Sequence, residues 1–292
     1  MILYIEGRYA RDAVARGLSA TFSSPLGGGT AKRWRGAMTD AAVQTPQPGM
    51  ESGPKKKLRV AAVGDLHVGE THDRPHRALF DRVHEDADVL CLCGDLTNYG
   101  KTREVEILIE DLKACRIPMV GVLGNHEHEC GQPDHVTKML CDAGVKMLTG
   151  QAYEIEGVGF AGGKGFVGGF GRYMLSSFGE SSIKTFVQEA VEDANQIENS
   201  IRMLRTERSV VLLHYSPVVD TVVGEPPEIH AFLGSSRLAE TIDRYDNVSL
   251  VVHGHAHRGA PEGRTNRGVP VYNVALPVLR TLGDLPYRVF EV

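Results

Sequence analysis

Asp, His and Asn residues recur in five short clusters, each placed directly after an apolar run. Gly64-Asp65-Leu66-His67 follows residues 58–63, Gly94-Asp95 follows 89–93, and Gly124-Asn125-His126-Glu127 follows 118–123. His214 follows 210–213, and His253-Gly254-His255-Ala256-His257 follows the run ending at Val252. The clusters offer carboxylates, an amide and imidazoles but no thiolate. Such donors suit Mn, Fe, Zn or Mg rather than a soft sulfur site. His255 and His257 stand two apart, so an extended segment would point both the same way. A carboxylate shared by two ions would let them sit about 3.5–4 Å apart, the separation that clamps an in-line phosphoryl displacement.

These clusters need elements to position them. The runs 58–63, 89–93 and 118–123 are short enough for buried strands and alternate with helical sequence. One helix is expected over 77–85. A second carries Val105, Leu108, Ile109 and Leu112 at i, i+3, i+4 and i+7, which makes a β-α-β-α-β unit. The carboxyl ends of strands in an α/β sheet form the crevice where ligands bind, so five clusters at five such ends should converge. Their glycines are expected to let the chain turn sharply there. Further on, 152–160 reads as strand, 157–171 as a glycine-rich flexible loop, and 182–207 as a long amphipathic helix. Strands at 210–213, 248–252 and 269–275 and a helix at 237–245 complete the pattern, with no internal repeat. Residues 1–57 are aperiodic and rich in Gly and Pro, and end in Lys55-Lys56-Lys57. They read as a disordered extension or an over-long start, leaving 58–292 as the folded domain.

Composition narrows the function. Apolar residues at 42% and charged residues at 24% describe a soluble chain with a real core. A net charge of −5 gives no electrostatic reason to expect nucleic acid or a membrane surface as partner. No apolar run approaches the roughly 18 residues that span a bilayer. Cys91 and Cys93 sit inside an apolar run and read as core, and with no secretory leader the cytoplasm is the expected compartment. Oligomeric state is not legible.

The ordered set Asp65-x-His67, Gly94-Asp95, Gly124-Asn125-His126-Glu127, His214 and Gly254-His255-x-His257 resembles the calcineurin-like metallophosphoesterase superfamily. The class III cyclic-nucleotide phosphodiesterases are its nearest branch. The resemblance covers residues 58 to about 275. It implies an α/β fold, a two-sheet β-sandwich flanked by helices, rather than one doubly wound sheet. It also implies two divalent or trivalent metal ions. Asp65, His67, the bridging Asp95 and His257 would hold one, and Asp95, Asn125, His214 and His255 the other. One departure stands out. Ser/Thr protein phosphatases and many cyclic-nucleotide phosphodiesterases carry an Asp three residues after the bridging Asp, and in the protein phosphatases it pairs with the histidine that follows the metal-binding Asn. Here that place is Asn98, and His128 stands where protein phosphatases have Arg. Protein-phosphatase activity is therefore disfavoured, and the orientation of His126 is left open.

The reaction expected is direct hydrolysis of a small phosphodiester or phosphomonoester. A hydroxide held between the ions would attack phosphorus, and His126 would protonate the leaving oxygen. A nuclease, a non-catalytic interaction module on the same fold, and a hydrolase of lipid-linked or nucleotide-sugar diphosphates are the rival readings. His253 is expected to support the site rather than bind metal. His128 and His230 are candidate substrate contacts, and His72, His76, His84 and His135 read as surface residues.

Overall fold

A computed structural model describes residues 57–292, apart from 72, 73 and 75. The extension expected over 1–57 lies outside the described residues except for Lys57. In chain order the elements are β1 Arg59–Val63, α1 Arg77–Asp86, β2 Val89–Cys93, α2 Thr102–Leu112, β3 Met119–Val122, α3 Pro133–Asp142 and β4 Val145–Met147. There follow β5 Tyr153–Ile155, β6 Val158–Gly162, α4 Ser181–Met203, β7 Arg208–Leu212, α5 Ser236–Ile242 and β8 Val248–His253. The chain closes with β9 Glu262–Arg264, β10 Pro270–Asn273, α6 Leu276–Leu282 and β11 Arg288–Glu291.

The strands form two mixed sheets, β11-β1-β2-β3-β4 and β5-β6-β7-β8-β10-β9. This is the α/β sandwich flanked by helices that the resemblance implies. Each sheet is parallel inside, and three of the four end strands run antiparallel, β11 beside β1, β5 beside β6 and β9 beside β10, while β4 is parallel to β3. The period of two along β7 shows how the layers join. Val210 and Leu212 enter the same core as Val60, Leu90 and Val120 of the first sheet. Val211 and Leu213 point to the other face and pack with Ile197 and Ile201 of α4 and Leu238 of α5. Residues on both faces of a central strand are thus buried, which explains its unbroken apolar run. Among the described residues, no helix is long and apolar enough to cross a membrane.

Two expectations change. The strand expected at 152–160 is a hairpin, because Glu156 and Gly157 both adopt positive φ (47° and 80°) and reverse the chain between β5 and β6. The chain also does not run out after the strand near 270. It continues through α6 and returns as β11 beside β1.

Candidate metal centre

Beyond the ends of β1 and β2 the two chains keep pairing. Asp65 N donates to Gly94 O (2.9 Å), His67 N to Asp95 O (3.0 Å) and Val68 N to Leu96 O (3.0 Å). This ladder sets Asp65 and His67 against Asp95. It is not flat: Asp65 (φ 58°), His67 (49°), Asp95 (48°) and His255 (68°) all adopt the left-handed conformation, which costs a non-glycine residue about 1–2 kcal/mol. Such strain persists where surrounding contacts over-determine it, and it clusters at functional sites.

The glycines of the clusters do different work from that expected. Gly94 has positive φ (80°), but Gly64, Gly124 and Gly254 do not. The left-handed turns fall on the aspartates instead. What those glycines supply is room. A Cβ on Gly124 would fall 2.1 Å from Asp95 Oδ1, and one on Gly254 would fall 2.3 Å from Asp65 Oδ2.

The sequence-predicted ligands come together in overlapping groups, each with its donor atoms within 4.8 Å of one another. One is Asp65, His67 and His257, another is Asp95, His214 and His255, and a third is His67, Asp95 and His126. Asn125 belongs with the second, its Oδ1 lying 2.9 Å from His214 Nε2. Asp95 and His67 each appear in two groups, so the three groups form one connected set. His257 Nε2 reaches Asp65 Oδ1 at 2.9 Å and His67 Nε2 at 3.4 Å.

Hydrogen bonds decide which ring atoms face the centre. His214 Nδ1 lies 3.0 Å from the Cys93 carbonyl, an acceptor only, so it carries the proton and Nε2 turns toward Asp95 Oδ1 at 3.3 Å. His255 Nε2 donates to the Phe232 carbonyl (3.2 Å), leaving Nδ1 as the donor atom. His126 Nδ1 donates to the Asn98 carbonyl at 2.5 Å, and its Nε2 stands 3.7 Å from Asp95 Oδ2. The place held by Asp in the protein phosphatases therefore still orients the ring here, through the backbone rather than a carboxylate.

Electrostatics fit a cationic occupant. Asp65 and Asp95 are buried at 2% and 1% exposure, and among the described residues their ion-pair partners are imidazoles only. Burial would push the Asp95 carboxyl up, but the adjacent His214 outweighs it and holds the group below its usual range. Burial likewise presses His214 down, yet the Asp95 charge prevails and lifts it to about 9. His255, half-buried and with weaker compensation for its desolvation, falls to about 3 and stays neutral. Metal ions bound by these donors would take the place of the proton that His214 holds against Asp95. The donor set therefore fits the metals the fold family implies.

Two supporting residues, Glu127 and His76, have no site role among the expectations from sequence. Glu127 is fully buried. Its Oε1 accepts Thr97 N and Thr97 Oγ1, both at 2.8 Å, and its Oε2 accepts Gly124 N at 2.8 Å. It ties the loop after β2 to the loop after β3. The i, i+3 spacing from Gly124 was the available signal, being the reach of an acidic side chain back to a backbone N–H. His76, expected at the surface, is buried and reaches the Leu66 carbonyl (2.9 Å) between Asp65 and His67. His253 is buried with both ring nitrogens engaged, by Gly254 O (2.7 Å) and Thr221 Oγ1 (2.8 Å), and supports the loop. His128 and His135 are exposed, His84 is half-buried, and His72 lies outside the described residues. His230 Nε2 is engaged by the Glu225 carbonyl at 3.0 Å.

The calcineurin-like phosphoesterase family matches residues 58–259. The chain belongs to that family and is a metal-dependent phosphoric ester hydrolase by class. No curated protein matches it. Its fold is similar to that of the phosphopantetheinyl hydrolase of Mycobacterium tuberculosis, with a TM-score of 0.58 at 15% identity, over 82% of this chain and 97% of that one. Protein TT1561 of Thermus thermophilus gives 0.48 at 14% identity, over 81% and 99%. A purple acid phosphatase from yellow lupin seeds gives 0.43 at 13% identity, over 76% and 44%.

Proposed function

We propose that this protein is a dinuclear metallohydrolase acting on a small phosphoester, with phosphodiesters favoured over phosphomonoesters. The observation that carries it is the gathering of Asp65, His67 and His257 in one group and of Asp95, His214 and His255 in another, linked by a third group of His67, Asp95 and His126, with Asn125 beside His214. Asp65, His67, Asp95 and His257 would hold one ion, and Asp95, Asn125, His214 and His255 the other. Mn, Fe and Zn suit these donors, and Mg is admitted. When bound, such ions supply Lewis acidity toward the phosphoryl oxygens and a water nucleophile at neutral pH.

The protein residues do the rest. The left-handed backbone at Asp65 and Asp95 aims both carboxylates inward, and the carbonyls of Cys93 and Phe232 present His214 and His255 in fixed tautomers. His126 has Nδ1 committed to Asn98, so Nε2 is the ring atom that moves a proton to the leaving oxygen. Support for a diester comes from the resemblance to the cyclic-nucleotide branch. Neither nucleic acid nor a membrane is an expected partner, and the cytoplasm is the expected setting.

The test is metal analysis followed by Mn-loaded assay against p-nitrophenyl mono- and diesters, cyclic nucleotides and a phosphopantetheinylated carrier protein, the last prompted by the name of the similar mycobacterial enzyme. About two ions per chain are expected, with activity removed by chelation and restored by Mn. Full turnover after exhaustive chelation would overturn the proposal.

A further inference from the structure

Given the reading of the centre as a phosphoesterase with His126 as the proton donor, the departing alcohol lies on the His126 side of the metals. The two segments that hold that ring run on into a hollow of about 320 Å³ lined by Tyr99, Lys101, Glu129 and Cys130. Tyr99 follows Asn98, whose carbonyl holds His126. Glu129 closes the short turn that begins at His126, donating its N–H to His126 O at 3.2 Å.

We propose that this hollow receives the leaving alcohol, and that the alcohol carries a planar aromatic or heteroaromatic ring that stacks on Tyr99. Tyr99 is 49% exposed, which leaves aromatic surface open to solvent next to the residue that orients His126. Lys101 Nζ lies over the ring, 5.4 Å from its centroid and 3.3 Å from Glu70 Oε1, and Glu129 lines the same hollow, so the ring already carries a cation on its face that an incoming ring would displace toward Glu70. The hollow is preformed. Tyr99 N and Lys101 N both donate to the buried Glu104 carboxylate (2.8 and 3.3 Å), and Cys130 Sγ donates to Gly100 O (2.8 Å). Gly100 sits so close to the Glu127 carbonyl that a Cβ there would lie 2.6 Å from it. A ring entering this space meets a surface whose ordering cost is already met, as in other small-molecule sites.

Benzyl methyl phosphate and cyclohexylmethyl methyl phosphate test this on the Mn-loaded full chain. Their leaving oxygens are close in acidity, and they differ in whether the ring is planar. The wild type should show a KM about 10-fold lower for the benzyl ester, the scale of one stacked ring. Tyr99→Ala should abolish that preference at unchanged metal content, and Tyr99→Phe should keep it. Calorimetric titration with the matching methyl phosphonates should give the same ratio without turnover. Equal KM values in the wild type, or a preference that survives Tyr99→Ala, would overturn the subsite and leave the esterase reading standing. Hydrolysis of no phosphate ester at all would overturn that reading and the subsite with it.

Discussion

The loops after β1, β2 and β3 and the loops after β7 and β8 both bring donors to strand ends, yet they are held by different means. On the first sheet the donors are mainly carboxylate and amide, and each loop is bound to the next. A backbone ladder joins Asp65-Leu66-His67 to Gly94-Asp95, and Glu127 joins Thr97 to Gly124. On the second sheet the donors are His214, His255 and His257, and their bracing is less local. His214 is oriented from across the sandwich by Cys93, and His255 from a loop by Phe232, whose own side chain is 60% exposed. That loop is zipped to the glycine-rich one through Gly168 N to Ala231 O and Gly169 N to Gly234 O, both 3.0 Å. On the proposed assignment the contrast separates tasks: the first sheet would fix the shared aspartate and the proton donor, whereas the second would place histidine ligands beside long surface loops.

The strongest test of this contrast is Asp95→Ala. With Asp95 as the proposed shared carboxylate, its loss should weaken both ions and remove activity on every substrate. Metal analysis showing one ion fully retained would break the sharing. His126→Gln should act next in size and more selectively. Loss of about 10²–10⁴-fold is expected on an alkyl ester, whose alkoxide needs a proton, with a modest loss on a p-nitrophenyl ester. Equal losses on both would make His126 a positioning group. Loss of an ion would make it a ligand with His67 and Asp95, a group the geometry also allows.

Glu127→Ala tests the bracing of the first sheet directly. It strands Thr97 N, Thr97 Oγ1 and Gly124 N without their buried acceptor. The expected cost is about 3 kcal/mol, read by urea unfolding of the metal-free protein. A cost below about 1 kcal/mol would show that the loops hold without it. The smallest effect on the centre is expected from shortening residues 162–171 on the second-sheet side. This should reorder substrate preferences while leaving metal content near that of the wild type. An unchanged ranking would place specificity elsewhere, with the hollow at Tyr99 the first place to look.

Much of this fold follows from local pattern. The runs at 58–63, 89–93, 118–123, 210–213 and 248–252 lie on observed strands because a strand buried on both faces leaves an unbroken apolar run. The long helix was readable from Val187, Ala190, Ala194, Ile197 and Ile201 on one face. Elements with little apolar surface left no such trace. The strand β9 buries none of its three residues, and β11 only one. The 152–160 hairpin was hidden because Glu156-Gly157 lacks the Asn or Asp that usually marks a two-residue turn.

At the site the division is sharper. The identities and order of the donors, from Asp65 to His257, stand in the sequence because only certain side chains can offer oxygen or imidazole nitrogen to a metal. What tertiary structure alone decided is which atom each imidazole presents. His126, His214 and His255 take their orientation from the backbone carbonyls of Asn98, Cys93 and Phe232, at separations of 28, 121 and 23 residues. Every residue type carries the same carbonyl, so such a contact places no demand on side-chain identity. It exists only once segments distant in sequence have been brought together, and for His214 only once the two sheets have packed.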